Sequence, residues 1–349
     1  MPFISDVGFE EVSGRDGNLG LITLTRPQAL NALSQKMLAA INQQLTEWEK
    51  ANHIKAVVVR AAEGRAFCAG GDIRSLYDRK LAGDHPALTD FFREEYGLTR
   101  RIYHYSKPYI ALMDGITMGG GVGLSVHASH RIGTDRLLFA MPETGIGFYP
   151  DVGATYLFSR LPEKMGYYLG LTGTRLTVAD CAAMDLVDYF MKAERFPELI
   201  YALADTSFDN EGEAAVAQVI ESFVLPVPHS DLLQHREAIE ECFSEKTVEK
   251  IIAAFGKRTD PWCKETAAIL KTKSPMSLKV TLRALQEAEH LDFDEAMDAE
   301  FRLTSCFLEG HDFFEGIRAV LVDKDNTPHW KPSKLREVTA VQVKKYFVK

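Results

Sequence analysis

The sequence predicts an α/β fold with a helical C-terminal region, and three patterns carry that expectation. Short apolar runs alternate with helix-period segments through the first half, an alternation that favours a mixed α/β core. Glycine-rich loops stand where strand-like runs meet helix-like ones. Beyond Val187 the apolar runs give way to charged stretches with helical spacing.

In chain order, residues 7–13 and 19–25 are apolar-rich runs separated by Gly14-Arg15-Asp16-Gly17-Asn18; Asp-Gly is turn chemistry, so the pair reads as a hairpin. A helix follows from Ser34 as N-cap, because Met37, Leu38, Ile41, Leu45 and Trp48 recur at three- and four-residue steps. Ala56–Val59 reads as a buried strand, and another begins near Tyr109 with Ile110-Ala111-Leu112-Met113. Gly119-Gly120-Gly121 opens an apolar segment through Val122, Leu124, Val126 and Ala128, expected on a buried helix. Leu137–Ala140 is a strand leading into Met141-Pro142-Glu143. Residues 192–272 read as a helical insert interrupted at Pro226-Val227-Pro228, and the tail from Ser274 reads as helical to about Leu308, before a turn-rich segment Asp323–Pro332. The expected division is therefore a core over 1–191, an insert over 192–272 and a C-terminal helical region over 273–349.

Composition narrows the function classes. Hydrophobic residues at 46% and charged residues at 26% of 349 are ordinary for a globular chain. A net charge of -9 gives no general attraction for nucleic acid. The five cysteines are scattered, with no CxxC pair or Cys/His metal spacing, which points to a reducing compartment and no metal. The start lacks the features of a signal or transit peptide, and no apolar run reaches the roughly 18 residues of a membrane span, so a cytoplasmic protein without a membrane partner is expected.

Three segments carry candidate chemistry. Ala66-Phe67-Cys68-Ala69-Gly70-Gly71-Asp72 is a small-residue loop whose backbone N–H groups can approach a ligand closely; equally, it is a tight connection with Asp72 as N-cap. Gly115-Ile116-Thr117-Met118-Gly119-Gly120-Gly121-Val122-Gly123 puts glycines at a strand-to-helix junction, where each costs a helix about 1 kcal/mol. An oxyanion would gain free N–H donors there, and close helix packing is the alternative; no GxGxxG or P-loop lysine is present. In Met141-Pro142-Glu143-Thr144-Gly145-Ile146-Gly147-Phe148-Tyr149-Pro150-Asp151-Val152-Gly153, two carboxylates sit in an apolar, glycine-rich loop, surroundings that shift pKa values. Asp151 by itself reads equally well as an N-cap.

Taken in this order, the three segments resemble the crotonase (enoyl-CoA hydratase/isomerase) superfamily, as do Leu24–Leu33 and Glu315-Gly316-Ile317-Arg318-Ala319. The resemblance implies a spiral of ββα units with a helical C-terminal region that often supports trimers, hence a homo-oligomer, and an acyl-CoA substrate. It implies an oxyanion hole from the N–H groups of Gly71 and Gly120, with Gln28, Ala29, Leu30, Ala69, Gly70, Asp72 and Ile73 along the coenzyme A channel. Hydratases of this kind carry a catalytic glutamate three residues after the middle glycine of the triplet, where this chain has Gly123. Glycine cannot transfer a proton, whereas Glu143 and Asp151 follow the pattern of the thioester hydrolases in the superfamily. That pattern implies cleavage of a short 3-hydroxyacyl-CoA, with 3-hydroxyisobutyryl-CoA and valine breakdown as its setting. No cofactor is implied beyond the coenzyme A of the substrate.

Glu95, in Phe91-Phe92-Arg93-Glu94-Glu95-Tyr96, would recognise the substrate hydroxyl; without the resemblance that segment reads as a solvated helical face. A hydratase or isomerase, and a silent acyl-CoA-binding subunit, are the rival readings. His104, His127 and His130 form no nucleophile–base arrangement, and Cys68 reads as a small packing residue.

Overall fold

A computed structural model describes residues 6–208 and 212–348. The chain runs as repeated strand–strand–helix units: β1 (Val7–Ser13), β2 (Asn18–Leu24) and α1 (Gln35–Lys50); β3 (Ile54–Ala61), β4 (Ala66–Cys68), α2 (Ile73–Leu81) and α3 (His85–Tyr103); β5 (Tyr109–Met113), β6 (Ile116–Met118) and α4 (Gly120–Ser125); β7 (His130–Gly133), β8 (Leu138–Ala140) and α5 (Ala154–Arg160). Then follow α6 (Met165–Thr172), α7 (Val178–Ala183), β9 (Tyr189–Phe190), α8 (Phe196–Ala204) and α9 (Gly212–Glu221). The rest is helical: α10 (Arg236–Phe243), α11 (Val248–Lys257), α12 (Pro261–Thr272), α13 (Pro275–Ala288), α14 (Phe293–Glu309), α15 (Asp312–Ile317) and α16 (Ala340–Lys345).

The chain forms two compact units. The first takes residues up to Gly71, Gly97–Phe139 and Arg175–Asp231. Its main sheet has the order β1-β2-β3-β5-β7-β9, antiparallel at the β1–β2 hairpin and parallel beyond it. Alternate residues Leu19, Leu21, Ala56, Val58, Ile110 and Leu112 point to one face and pack with Leu199, Ile200 and Leu203 of α8 and Val216 and Ile220 of α9. The intervening Ile22, Val57, Val59 and Ala111 are buried as well, the continuous apolar reading of a parallel sheet covered on both faces. A second sheet, β4-β6-β8, is short.

The second unit takes Asp72–Tyr96, Ala140–Thr174 and the chain from Leu232 onward. An aromatic core holds it: Phe148 lies 4.6 Å from Phe313 and 5.5 Å from Phe92 between ring centres, and Tyr149 stacks on Phe307 at 5.4 Å.

Two helices differ from expectation. The glycine-triplet helix stops at Ser125 instead of reaching Ala128, whose N–H turns back to the Ser125 carbonyl at 3.0 Å. The tail from Ser274 is two helices, because Asp292 and Glu295 form a capping box that starts α14 afresh. Among the described residues no helix is long and apolar enough to cross a membrane.

Candidate functional site

In the first unit the two glycine stretches meet. β4 and β6 pair in parallel, with Cys68 opposite Thr117, so the loops leaving them run side by side. Gly70 has φ +111, and a Cβ there would lie 3.7 Å from the Gly120 nitrogen; a Cβ on Gly121 would be driven to 2.2 Å from the Cys68 carbonyl oxygen. Gly70 is required by its backbone conformation and Gly121 by the close approach of the Cys68 backbone. Gly120 opens α4, so its N–H has no acceptor within the helix, while those of Val122 and Gly123 both reach the Gly119 carbonyl.

The Gln28–Leu30 turn is tied to the same loop. Leu30 and Asn31 both adopt positive φ, and the buried Asn31 side chain holds the turn by accepting from the Arg26 N–H at 2.8 Å and donating to the Ala66 carbonyl at 2.9 Å. Ala69 N–H donates to the Leu30 carbonyl at 3.0 Å, and Leu33 N–H to the Gly70 carbonyl at 2.8 Å. Gln28 is exposed, and Ala29, Leu30, Ala69 and Gly71 are half-buried. Asp72 caps α2, accepting from the Ser75 N–H at 3.3 Å, and Ile73 begins that helix. Cys68 is fully buried, as a packing residue would be.

In the second unit three carboxylates gather inside the protein. Glu95 is 5%, Glu143 6% and Asp151 5% exposed, values that carboxylates reach only when something repays the lost hydration. Glu95 lies on the apolar stripe of α3 formed by Leu88, Phe91, Phe92 and Tyr96, so the solvated-face alternative is overturned. Asp151 does not cap α5: Gly153 holds that position without a side-chain bond, and Asp151 Oδ2 instead accepts the Tyr96 hydroxyl at 2.7 Å. Glu143 opens a short 3-10 turn clamped from two sides, by the Ser274 N–H on the Thr144 carbonyl at 3.1 Å and by α15, where a Cβ on Gly147 would come within 2.2 Å of the Asp312 carbonyl oxygen. Its Oε2 is buried with no hydrogen-bond partner among the described residues. A buried carboxylate oxygen in that state makes Glu143 a candidate for chemistry.

The electrostatics follow from this crowding. Burial first, and then the charges of Asp151 and Glu95, push Glu143 well above the usual carboxylate range, while Lys273 pulls it back. Burial and then Asp151 raise Glu95 in the same way. Asp151 is pushed up to about 7 by burial, against the stabilising hydroxyl of Tyr96. The charge of each carboxylate disfavours ionisation of its neighbours, which adds to the effect of burial.

Several residues that hold this arrangement carry no signal by themselves. Tyr96, Tyr149 and Thr304 share hydroxyl contacts, and Glu300 accepts from the Gly153 N–H at 2.8 Å and the Thr155 N–H at 3.0 Å. Lys273 lies 3.4 Å from a Cβ built on Gly145 in the Glu143 turn. Among the described residues no group of three or more His, Cys, Asp or Glu has the geometry to hold a metal ion. His130 is buried, its pKa lowered by burial, and stacks on Tyr189.

Known proteins resemble this chain in sequence and in fold. The profile of the enoyl-CoA hydratase/isomerase family matches residues 19–347. The chain is 44% identical over 341 residues to the mitochondrial 3-hydroxyisobutyryl-CoA hydrolase of Rattus norvegicus, covering 95% of this chain and 87% of that one. It is 40% identical over 356 residues to the Homo sapiens protein of the same name, covering 98% and 89%. Among solved structures, a carnitinyl-CoA dehydratase from Mycobacterium thermoresistibile superposes with a TM-score of 0.90 at 38% identity, over 99% of this chain and 96% of its own. An enoyl-CoA hydratase from Rhodobacter sphaeroides 2.4.1 does so with a TM-score of 0.87 at 38% identity, over 98% and 97%. The ββα repeat, the paired glycine loops and these matches have one reading: the chain has the crotonase fold and belongs to the enoyl-CoA hydratase/isomerase (crotonase) family.

Proposed function

We propose that the chain hydrolyses a short-chain 3-hydroxyacyl-CoA thioester, with 3-hydroxyisobutyryl-CoA, and hence valine breakdown, as the first candidate. The observation that carries this reading is the buried trio Glu95, Glu143 and Asp151 in a chain whose remaining hydratase position is Gly123. Identity of 40–44% to relatives named for that hydrolysis supports the acyl group.

In this mechanism the thioester oxygen lies between the N–H groups of Gly71 and Gly120, which take up the charge that builds on it. Losing one such donor raises a barrier by about 2.7–4 kcal/mol. Glu143 attacks the carbonyl carbon; the C–S bond breaks, and coenzyme A leaves as a thiol once it gains a proton. Water then cleaves the mixed anhydride, returning Glu143 and releasing the hydroxy acid. Alternatively, Glu143 draws a proton from water that attacks directly. Asp151 positions or protonates its reacting partner, and Glu95 accepts the substrate hydroxyl. The Gln28–Leu30 and Ala69–Ile73 stretches line the path of coenzyme A. The scattered cysteine pattern of the sequence supports a reducing compartment, of which the cytoplasm is one.

A screen for thiol release across short 3-hydroxyacyl-CoA thioesters tests the reading, and single turnover in heavy-oxygen water separates the routes by whether label enters Glu143. The two solved neighbours, a dehydratase and a hydratase by name, favour a second reading, hydration or dehydration of an enoyl-CoA. Loss of enoyl absorbance with no free thiol would replace the first reading by the second.

A further inference from the structure

We propose that Tyr96 is the positioning residue for Asp151, and that Thr304 and Tyr149 hold its hydroxyl in the donating orientation. This deepens the hydrolase reading and rests on the part that reading gives to Asp151. All the groups concerned lie in the second unit.

Tyr96 is buried, and its hydroxyl oxygen has three oxygen neighbours: Asp151 Oδ2 at 2.7 Å, Thr304 Oγ1 at 2.6 Å and Tyr149 Oη at 3.2 Å. A count of hydrogens fixes the direction of the chain. An ionised Asp151 can only accept, so the hydrogen between it and Tyr96 belongs to Tyr96. Tyr149 donates its own hydrogen to the Glu300 backbone carbonyl, which has none to give. The Thr304 hydrogen is left for a phenolic oxygen, and the shorter contact is with Tyr96, 2.6 Å against 2.8 Å to Tyr149. Each hydroxyl is then committed, and the Tyr96 hydrogen has nowhere to turn except Asp151. A chain that ends on a backbone carbonyl cannot pass protons along it. Its effect is to aim one donor and to polarise it.

The acceptor is held as firmly as the donor. Val152, directly after Asp151, has φ +52, a conformation that a β-branched residue enters only under restraint, and Gly153 follows at φ +82. Glu300 supplies the restraint by taking the Gly153 N–H at 2.8 Å and the Thr155 N–H at 3.0 Å. Burial favours the neutral form of Asp151, and the donated hydroxyl is the side-chain contact that favours its charged form.

The test is the titration of the Asp151 carboxyl in the substrate-free protein, by carbon-13 NMR of aspartate-labelled chain, with the signal assigned by its loss in Asp151→Asn. In Tyr96→Phe the midpoint should move up from its wild-type position by about one to two pH units, the effect of removing one hydrogen bond to a charged group. Thr304→Val should move it the same way by less. A midpoint unchanged to within a few tenths in a folded Tyr96→Phe overturns the proposal. If that variant does not fold, an unchanged midpoint in Thr304→Val overturns it. Because no substrate is present, the result stands apart from whether thioesters are cleaved. Where they are, Tyr96→Phe should lower kcat with KM retained and shift the rising limb of the pH profile upward, a change that a purely structural role would not produce.

Discussion

One carboxylate oxygen of Glu300 accepts both the N–H of Thr155, at 3.0 Å, and its hydroxyl, at 2.6 Å. Complete burial nevertheless dominates those donors and pushes Glu300 up to about 8, with the Asp151 charge adding to the rise. Between the ordinary carboxylate range and that value the folded chain keeps a proton that the unfolded chain has lost. Stability is then fully present in acid and falls as pH rises toward 8, with each such group contributing at most about 1.4 kcal/mol per pH unit. Asp151, raised to about 7, acts in the same sense over a lower window. Glu300→Gln keeps the acceptor for Thr155 but gives up the bond from the Gly153 N–H, so it should lower stability at every pH while flattening the fall between pH 5 and 8 measured by urea unfolding. A slope equal to that of the wild type would show that Glu300 does not hold its proton there.

Lys273 opposes the rise of Glu143, and burial lowers the pKa of the ammonium itself. Replacing it by methionine keeps a flexible apolar stem and removes the charge. The ionised fraction of Glu143 at a given pH then falls, so the rising limb of the kcat/KM profile should move to higher pH by a few tenths of a unit to about one unit. A limb that stays in place would mean that Lys273 acts on the turn only by packing over Gly145.

Much of the frame was legible because local chemistry dictates it. The hairpin over 7–13 and 19–25, the Ser34 cap and the buried strands read at Ala56–Val59 and from Tyr109 each follow from turn residues, period or continuous burial. The glycine loops were legible as places of close backbone approach for the same reason. Glu95 had a signal that a charge-based reading passes over: it falls on the stripe of Phe91, Phe92 and Tyr96, whereas its neighbour Glu94 is only half-buried. Read from its neighbours alone, Asp151 had two roles open, because a Pro-Asp-Val-Gly run before a helix looks like a cap until the partner is seen. That partner lies 55 residues earlier in the chain, and the restraint from Glu300 about 150 residues later. No local pattern selects which distant hydroxyl or carboxylate will arrive.

If Glu95 accepts the substrate hydroxyl, its contribution is to selectivity more than to rate. Glu95→Gln keeps the size and one acceptor oxygen but weakens the bond. The preference for a 3-hydroxyacyl-CoA over the same thioester without the hydroxyl should fall roughly 10- to 100-fold in kcat/KM, the range for one hydrogen bond to a charged group. An unchanged ratio, with both substrates slowed alike, would assign Glu95 to the electrostatics of Glu143 and Asp151 instead.

The glycines of the fold should divide sharply by what surrounds them. A Cβ on Gly121 would overlap the Cys68 carbonyl oxygen at 2.2 Å, and both are backbone-anchored, so Gly121→Ala must part α4 from β4. Overpacking of this kind costs about 1–3 kcal/mol, and here it also displaces the neighbouring Gly120 amide. Gly97 lies in the middle of α3 with nothing within 4 Å of the added Cβ and no unusual φ. There alanine recovers helix propensity, so Gly97→Ala should raise stability by up to about 1 kcal/mol with thiol release untouched. Urea unfolding of the two variants, read beside their turnover, checks both halves. A Gly121→Ala protein as stable and active as the wild type would mean that the close approach of the two glycine loops is not needed for the proposed oxyanion hole.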